Sequence, residues 1–498
     1  MSDAYDRLLE RVKDIGRLQA VAQLLGWDQE TYMPKEGARA RSEQFALING
    51  LAHERLVADE TRALLEAVTH PAGDYLAETN IRETRRVFER AAKIPTALVK
   101  EIAGTTSIAT EVWAAAREES DFGKLQPYLE KLVDLKKQEA EYVGYDTEAY
   151  DALMDEYEPG SKASEIEVLL RELREATVTL LNRIKAAERQ PDPGILTQHF
   201  DVDKQKAWSR KLAKALNFDF KSGRMDTSAH PFCTTIGGCG DVRITSRYQE
   251  GFLPAGIFGT IHETGHALYE QGLPGEHAFT PSGFYVSLGV HESQSRMWEN
   301  LVGRSRPFWS HHWDDLKETF PDAFGAVSLD EFYGAINAVA PSLIRVEADE
   351  LTYNLHIILR FEIERALFSG SLSVGDMPAA WNEKFEETLG IAPSNDRDGC
   401  LQDIHWSWGA FGYFHTYTLG NLYAAQFFEK AKKDIPDLFE RIAANDHEPL
   451  LQWLRANIHR HGQRYRADEL VELVTGEPVS IGPFMDYLTG KFTEIYGL

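Results

Sequence analysis

Two histidines and a glutamate near the middle of this 498-residue chain have the spacing of a catalytic metal site. His262 and His266 stand four residues apart. Helix positions i and i+4 lie on one face, so both imidazoles can bind one Zn²⁺. Glu263 falls beside such a cation, where a carboxylate can take a proton from the attacking water. The pattern indicates a zinc hydrolase, and the alternative is two ordinary buried histidines on a helix.

The sequence around these residues predicts a single helix over residues 253–272. Pro254 suits the first turn of a helix and Gly272 suits its end. Rows of apolar residues along the segment predict that the helix is buried. Gly259 and Gly265 weaken helix propensity, so we expect another element or a substrate to come close to the helix there.

A catalytic zinc ion usually has three protein ligands and one open position, so a second element must supply the third ligand. Glu292, on a helix predicted over about 285–302, would complete a set of two histidines and one glutamate. The neighbouring His291 is the alternative ligand. The two side chains point about 100° apart on a helix, so only one of them is expected to bind. We favour Glu292, with His291 as a supporting or packing residue.

Hydrolysis of a peptide bond also needs donors for the charge that builds on the carbonyl oxygen. Two polar, aromatic stretches, 399–406 and 409–417, contain candidates. His405 and Tyr417 are our predictions for contacts to this oxygen or to the substrate backbone. The alternative for each is a hydrogen-bonded residue of the core.

Arg345 has two possible roles that the sequence leaves open. It lies in a segment, 344–349, that we predict to be helical after Pro341, and Asp349 follows it at i+4, which favours a surface salt bridge. The planar guanidinium also fits a carboxylate, so Arg345 could instead bind the free C-terminus of a peptide.

Composition excludes some classes of function. With 53 basic and 78 acidic residues the formal net charge is -25, which argues against nucleic acids and anionic membranes as partners. Three cysteines, Cys233, Cys239 and Cys400, argue against a disulfide framework, and we interpret the first two as buried thiols. The polar start of the chain offers no signal peptide and no apolar run is long enough to span a bilayer, so we expect a cytoplasmic location.

Most of the chain has the apolar spacing of helices, including nearly all of residues 1–200. The alternation in residues 241–245 instead predicts a short strand, the best candidate for a small sheet. An edge strand of this kind could hold an extended peptide. The Pro- and Gly-containing segment 191–194 is the best candidate for an internal boundary.

Six motifs occur in an order that resembles the carboxypeptidase Taq family of metallocarboxypeptidases. They are His230-Pro231-Phe232, the Asp241–Thr245 stretch, His262–His266, His291-Glu292-Ser293, the Ile344–Asp349 stretch and the Gly399–Trp406 stretch. The Trp27–Pro34 stretch is also similar to the N-terminal segment of that family. The resemblance covers essentially the whole chain.

The resemblance implies an all-α fold, mainly helical with one small β-sheet near the active site. Its shape would be two-lobed with a deep groove, as in angiotensin-converting enzyme and neurolysin-like peptidases. Residues 1–498 would form a single catalytic domain. Its 1–194 part would supply the lid and dimer contacts, and its 195–498 part would hold the metal site.

The resemblance also implies the activity, which is release of single C-terminal amino acids with broad specificity, usually sparing Pro. The metal would be Zn²⁺, with Co²⁺ able to substitute, and members are commonly homodimers. Its implied site residues are the ligands His262, His266 and Glu292, the acid/base Glu263, the carboxylate-binding Arg345, and His230, Asp241 and Arg243, which would shape the site.

Two other functions fit parts of the sequence. An oligopeptidase or dipeptidyl carboxypeptidase could use the same metal site. A helical peptide-binding protein without turnover would be expected to tolerate loss of Glu263 or a ligand, and here all are present.

Overall fold

Helices dominate the computed structural model, which describes residues 3–70 and 73–498. In chain order the α-helices are α1 (Asp3–Thr31), α2 (Ala38–Val57), α3 (Asp59–Ala67), α4 (Tyr75–Lys93), α5 (Thr96–Glu119), α6 (Phe122–Val143), α7 (Ala149–Met154), α8 (Ala163–Ala186), α9 (Val202–Ala215), α10 (Leu253–Glu270), α11 (Leu288–Arg296), α12 (Arg306–Thr319), α13 (Pro321–Phe324), α14 (Leu329–Ile336), α15 (Tyr353–Ser369), α16 (Met377–Leu389), α17 (His415–Asp434), α18 (Leu438–Ala443), α19 (Glu448–Asn457), α20 (Ala467–Thr475) and α21 (Gly482–Tyr496).

Short 3₁₀ turns and one sheet complete the described secondary structure. The 3₁₀ turns are Lys35–Gly37, Pro193–Leu196, Gly275–His277, Pro281–Gly283, Arg345–Glu347 and His459–Arg464, and Met297–Val302 is π-helical. The strands are β1 (Gly223–Thr227), β2 (Cys233–Thr235) and β3 (Val242–Ser246). The predicted fold class, mainly helical with one small sheet, is confirmed.

The chain divides into two compact units, each formed by several separate segments. Unit 1 comprises Met1–Ala91, Asp192–Ile336 and Tyr423–Val479. Unit 2 comprises Ala92–Pro191, Asn337–Leu422 and Ser480–Leu498. A single catalytic domain with a lid part ending at residue 194 stays a prediction.

The small sheet belongs to unit 1 and has the order β1-β3-β2. β3 pairs in parallel with β1 and antiparallel with β2. The strand predicted at 241–245 is therefore present, but its proposed use as an edge strand is wrong, because neighbours occupy both of its sides. Val242 and Ile244 of β3 are buried in one cluster with Ala267, so the sheet packs on α10.

The end of α1 covers the other side of the sheet through aromatic and charged side chains. Arg243 of β3 stacks on Trp27 at 4.3 Å and forms a bidentate ion pair with Asp241, with N–O distances of 2.8 and 2.9 Å. Tyr32, just after α1, donates a hydrogen bond of 2.6 Å to Asp226 of β1. Asp241 and Arg243 thus brace the sheet against α1.

The remaining sequence expectations concern cysteines and the membrane. Cys233 and Cys239 are free thiols, but they are partly exposed rather than buried, whereas Cys400 is buried. Among the described residues, no helix combines the length and apolar character needed to cross a bilayer.

Candidate metal centre

Helix α10 carries the two histidines and is buried along almost its whole length. It begins with Pro254 near its N-terminus, as predicted, and ends at Glu270, two residues before the predicted end. A side chain at Gly272 would meet His459 Nδ1 at 2.1 Å, so the packing requires glycine there.

The two glycines within α10 have different explanations. A Cβ at Gly265 would lie 2.7 Å from the carbonyl oxygen of Gln294 on α11, so α10 and α11 pack closely at this point. A Cβ at Gly259 would meet nothing among the described residues closer than 3.8 Å, the distance to Ser246 Oγ. Close packing of another element therefore accounts for Gly265 but not for Gly259.

Helix α11 carries the third candidate ligand. Ser287 caps it by accepting a 3.1 Å hydrogen bond from the backbone N–H of Val290, so the helix begins at Leu288 rather than near the predicted residue 285. After Arg296 the helix widens into the π-helical segment Met297–Val302. Such segments often occur at functional sites.

The side chains of His262, His266 and Glu292 converge in unit 1. Glu292 Oε2 lies 3.7 Å from His262 Nε2 and 3.5 Å from His266 Nε2. One ligand atom from each residue lies within 4.8 Å of the others, and no other group of three such side chains among the described residues meets this condition. The geometry could therefore hold one metal ion.

Both imidazoles are oriented by contacts at Nδ1. His262 Nδ1 lies 2.9 Å from Glu299 Oε2. His266 Nδ1 lies 2.6 Å from His291 Nδ1, and His291 Nε2 lies 2.9 Å from Glu270 Oε1. A proton on each ligand Nδ1 satisfies these contacts and leaves the Nε2 lone pairs for a metal. His291 thus contacts His266 and is not one of the three converging side chains.

Two of the three groups, Glu292 and His266, are held in the ionisation state that binds a metal. Burial opposes the charge on Glu292, but Arg296 and His262 hold the pKa of this carboxyl well below its usual range. Burial, with the neighbouring His291, lowers the pKa of His266 to about 3, so this imidazole is neutral at neutral pH. Burial opposes a charge on the third, His262, but the carboxylates of Glu292 and Glu299 raise the pKa of its imidazole, so a cation competes with a proton there. Two imidazole nitrogens and one carboxylate oxygen form a donor set typical of catalytic zinc. The residues present therefore fit a divalent metal ion.

Glu263 lies on α10 between the two histidines. Burial raises the pKa of its carboxyl to about 7, against the lowering effect of His262. Its Oε2 atom is buried, and no described residue forms a hydrogen bond with it. A buried carboxylate oxygen without a partner is costly unless something binds it, which makes Glu263 a candidate for handling a proton of the reactants.

The structure gives Arg345 a different partner from the one predicted. Arg345 lies in the 3₁₀ turn Arg345–Glu347, not on a longer helix, so the i,i+4 salt bridge with Asp349 is wrong. Asp349 instead accepts 2.9 Å hydrogen bonds from the backbone N–H groups of Leu351 and Thr352. Arg345 is only 6% exposed, which also excludes a surface salt bridge.

Arg345 belongs to a buried charge cluster in unit 2. Its Nε and Nη2 atoms donate to Asp403 Oδ1 at 3.0 and 2.8 Å. Arg360 donates to the other oxygen of Asp403 at 2.6 Å. Despite burial, the two guanidinium groups hold the pKa of Asp403 well below its usual range. One carboxylate is therefore shared by two arginines.

The same unit brings together the two predicted oxyanion residues. His405 Nε2 lies 3.3 Å from the Tyr417 hydroxyl, and the guanidinium of Arg345 lies 5.1 Å from the Tyr417 ring centroid. Burial lowers the pKa of His405 to about 3, so its imidazole is neutral. Arg345, His405 and Tyr417 thus form one local group of donors.

The comparisons with known proteins agree along the whole chain. The pattern of the Carboxypeptidase Taq (M32) metallopeptidase family matches residues 7–492. Thermostable carboxypeptidase 1 of Thermus thermophilus is 48% identical over 510 residues, covering 99% of both proteins. Carboxypeptidase 1 of Bacillus subtilis is 39% identical over 491 residues, covering 98% of this chain and 97% of the relative. The chain belongs to the carboxypeptidase Taq family.

Solved structures of this family have the same fold. An M32 carboxypeptidase from Deinococcus radiodurans R1 aligns with a TM-score of 0.96 at 40% identity, covering 100% of both chains. A carboxypeptidase from Pyrococcus furiosus aligns with a TM-score of 0.95 at 37% identity, covering 99% of both chains. The protein is a metallocarboxypeptidase, which implies peptide substrates and a divalent metal ion, and the sequence resemblance is confirmed.

His230 is a predicted site residue of this metallocarboxypeptidase that lies outside both groups of side chains, as do Asp241 and Arg243, which brace the sheet. His230 is exposed between β1 and β2, where its backbone carbonyl accepts a 2.6 Å hydrogen bond from Ser228. The neighbouring Pro231 lies 4.0 Å from where a Cβ of Gly259 would be. The segment therefore runs alongside α10 about one turn from Glu263.

Sequence reasoning missed several charged residues around the metallocarboxypeptidase centre. Arg296 donates to Glu292 Oε1 at 2.7 Å, and Arg304 donates to Glu299 Oε1 at 3.3 Å. The spacing of the sequence could have indicated Arg296 and Glu299. They follow Glu292 by four and seven residues and therefore lie on the same helical face. Nothing local indicated that Glu299 contacts His262, since this contact joins two helices.

Proposed function

We propose that this metallocarboxypeptidase releases single C-terminal amino acids from peptides, with broad specificity, by hydrolysis at a Zn²⁺ ion. His262, His266 and Glu292 hold the ion and Glu263 is the general base. The observation that carries the proposal is the convergence of three ligand atoms beside Glu263, whose Oε2 has no hydrogen-bond partner among the described residues. When bound, the cation makes water a stronger acid and polarises the carbonyl of the peptide bond.

The work of the chain itself begins with Glu263. Its free Oε2 takes a proton from the attacking water, and the same carboxyl then gives that proton to the leaving amine. The contacts of Glu299 and His291 hold both imidazole rings in fixed orientations meanwhile. No ring has to turn during the reaction.

Arg345 is the proposed binding group for the C-terminal carboxylate. Of its five N–H groups, Asp403 accepts from Nε and from one on Nη2, and Tyr353 accepts from one on Nη1 at 3.1 Å. No described residue accepts from the remaining N–H on each Nη atom, so both are left for a substrate. The buried ion pair with Asp403 fixes the plane of the guanidinium, so little side-chain entropy is lost on binding.

The substrate contacts of the other predicted site residues are also part of the proposal. We assign His405 and Tyr417 to the substrate carbonyl or backbone, because their polar atoms lie together next to Arg345. His230 would contact substrate from the β1–β2 connection. The open space at Gly259, beside this connection, supports that assignment.

The identity of the metal ion and the oligomeric state are proposed from the family resemblance. An N/O donor set binds Zn²⁺ and Co²⁺ alike, so we propose Zn²⁺ with Co²⁺ as a substitute. We propose a homodimer, supported by the exposed Leu47 and Leu51 on α2, which are 62% and 40% exposed. The formal charge of -25 supports the absence of nucleic-acid and membrane partners. A cytoplasmic location stays a prediction.

The Glu263→Gln variant tests the catalytic assignment. We expect it to retain one Zn²⁺ per chain by metal analysis while kcat falls by about 10²- to 10⁴-fold, because the amide cannot accept the proton. Glu276→Gln is the matched control, since Glu276 is an exposed glutamate shortly after α10. Wild-type rates in Glu263→Gln would remove this residue from the mechanism, and a chain without stoichiometric metal would remove the centre itself.

A peptide series separates the carboxypeptidase from an oligopeptidase or dipeptidyl carboxypeptidase. Single-residue release from free-acid peptides of every length, with little cleavage of C-amidated ones, is expected. Release of dipeptides, or equal cleavage of free and amidated peptides, would contradict the proposed site of attack.

A further inference from the structure

One arginine near the centre contacts two buried glutamates at once. Arg296 donates from Nε to Glu292 Oε1 at 2.7 Å and from Nη1 to Glu299 Oε2 at 3.3 Å. All three side chains are largely removed from solvent, with 15%, 8% and 11% of their surface exposed. Charge-assisted hydrogen bonds in such surroundings are stronger than those at the surface.

The two oxygens of Glu292 therefore have different environments. Oε1 is engaged by the guanidinium of Arg296. Oε2 lies 3.7 and 3.5 Å from the Nε2 atoms of His262 and His266 and accepts a 3.1 Å hydrogen bond from the Ser295 hydroxyl. Only Oε2 is available to a cation placed between the imidazoles.

Glu299 connects Arg296 to the other side of the centre. Its Oε2 atom lies 2.9 Å from His262 Nδ1, and its Oε1 atom accepts from Arg304 at 3.3 Å. Glu299 lies in the π-helical segment Met297–Val302, which directly follows Arg296. A continuous line of contacts thus runs from Glu292 through Arg296 and Glu299 to His262.

We propose that Arg296 is a positioning residue that restricts Glu292 to a single ligand oxygen and so makes the centre select Zn²⁺ over cations that prefer more oxygen ligands. The reason is coordination chemistry. Zn²⁺ favours three protein ligands with one open position, whereas Mn²⁺ suits carboxylate oxygens and higher coordination. A Glu292 carboxylate free at both oxygens could bind through two atoms, as Ca²⁺-binding carboxylates do. The inference rests on the ligand set proposed above.

The test compares metal binding by the full-length wild type and the Arg296→Gln variant. We expect the Zn²⁺ dissociation constant, measured by competition with a chromophoric chelator, to rise about 10- to 100-fold. The constant for Mn²⁺ should rise less, so the preference for Zn²⁺ over Mn²⁺ shrinks. The absorption bands of the Co²⁺-loaded variant should weaken, because cobalt with more ligands absorbs less strongly in the visible.

Arg304→Gln is the matched control. It removes the same charge from the other oxygen of Glu299, and none of the described hydrogen bonds of Arg304 goes to Glu292. We expect it to keep the wild-type ratio of Zn²⁺ to Mn²⁺ affinity and the wild-type Co²⁺ spectrum. If the two arginines only support the fold, both variants will change the ratio of Zn²⁺ to Mn²⁺ affinity and the Co²⁺ spectrum to the same extent. That result would overturn the inference.

Arg296→Lys guards against a variant that does not fold. The lysine keeps the positive charge but offers one nitrogen for two carboxylates, so a shift in the same direction as for Arg296→Gln, but smaller, is expected. An unchanged affinity ratio and an unchanged Co²⁺ spectrum in the folded variants would overturn the role of Arg296. Failure of the wild type to bind Zn²⁺ stoichiometrically would instead overturn the proposed ligand set.

Discussion

The buried polar cluster of unit 1 collects acceptor atoms, whereas the one of unit 2 collects donors. In unit 1 the Nε2 atoms of His262 and His266 lie 3.7 and 3.5 Å from Glu292 Oε2, and each presents a lone pair when the proton of its ring is on Nδ1. The Oε2 atom of Glu263 on the same helix has no hydrogen-bond partner among the described residues. Lone pairs gathered in this way repel one another unless a cation lies between them.

In unit 2 the imbalance has the opposite sign. Arg345 and Arg360 share Asp403, the only described carboxylate in contact with both guanidinium groups. Two positive charges then face one negative charge whenever the neighbouring Glu364 carboxyl is protonated, which leaves a need for an anion. We propose on this basis that the unit 1 cluster binds a cation and that the unit 2 cluster binds a carboxylate. These are the two ligands that a metallocarboxypeptidase requires.

The Asp403→Asn variant should destabilise the polar cluster of unit 2. It leaves two buried guanidinium groups without a counter-charge, and breaking a buried ion pair in this way typically costs about 3–5 kcal/mol. We expect a clear fall in the midpoint of thermal unfolding.

The control for Asp403→Asn is Asp349→Asn in the same unit. Asp349 accepts from backbone N–H groups of Ala340, Leu351 and Thr352 rather than from a guanidinium. Its loss should cost about 1 kcal/mol, as for a helix cap. Equal falls in the midpoint of thermal unfolding would mean that the Asp403 carboxylate, although shared by two arginines, stabilises the fold no more than Asp349 does.

The Arg345→Ala variant removes the proposed carboxylate-binding group itself, whereas Asp403→Asn removes only its counter-charge. For free-acid peptides we expect KM to rise about 10- to 100-fold, since a charged hydrogen bond contributes about 1.5–3 kcal/mol. Kinetics on C-amidated peptides provide the control, because an amide lacks the charge that Arg345 binds. A KM that rises equally for both kinds of peptide would show that Arg345 supports the fold and does not recognise the carboxylate.

The two clusters also differ in how much of them the sequence predicts. Helix α10 follows from local rules, because its apolar rows, Pro254 and Gly272 lie within one element. The spacing of His262 and His266 then gives the common face directly. The hydrogen bond from Glu299 to His262 does not follow, since it joins residues on two elements whose packing no local pattern fixes.

Arg345 shows why local rules fail in unit 2. Asp349 stands at the right spacing for a helical pair, but the segment forms only a short 3₁₀ turn. The actual partner, Asp403, is 58 residues away in sequence and meets Arg345 only in the folded core. Buried charges must be paired, yet sequence alone does not say which of many carboxylates is the partner. The role of Arg345 in binding substrate stays a prediction, and its predicted helical pairing with Asp349 is wrong.

The smallest effect we predict concerns the pH dependence of stability. It tests whether the buried carboxyl of Glu364, beside the unit 2 cluster, is neutral or ionised in the folded protein. Glu364, one turn after Arg360 on α15, is buried and accepts from the Tyr150 hydroxyl, the Trp406 indole and the Gly412 N–H. Burial raises the pKa of Glu364 to about 7, although these donors and Arg360 oppose the rise.

Because the folded pKa lies above the unfolded one, the folded state holds a proton that the unfolded chain releases near pH 4.5. The stabilising contribution is complete below about pH 4.5 and is lost as the pH rises toward about 7. Glu364→Gln cannot titrate, so its unfolding midpoint in denaturant should fall less than that of the wild type between pH 5 and pH 8. The difference should be on the order of 1–3 kcal/mol. Parallel pH profiles would mean that Glu364 is already ionised in the folded core, and the excess positive charge of Arg345 and Arg360 would then be balanced without a substrate.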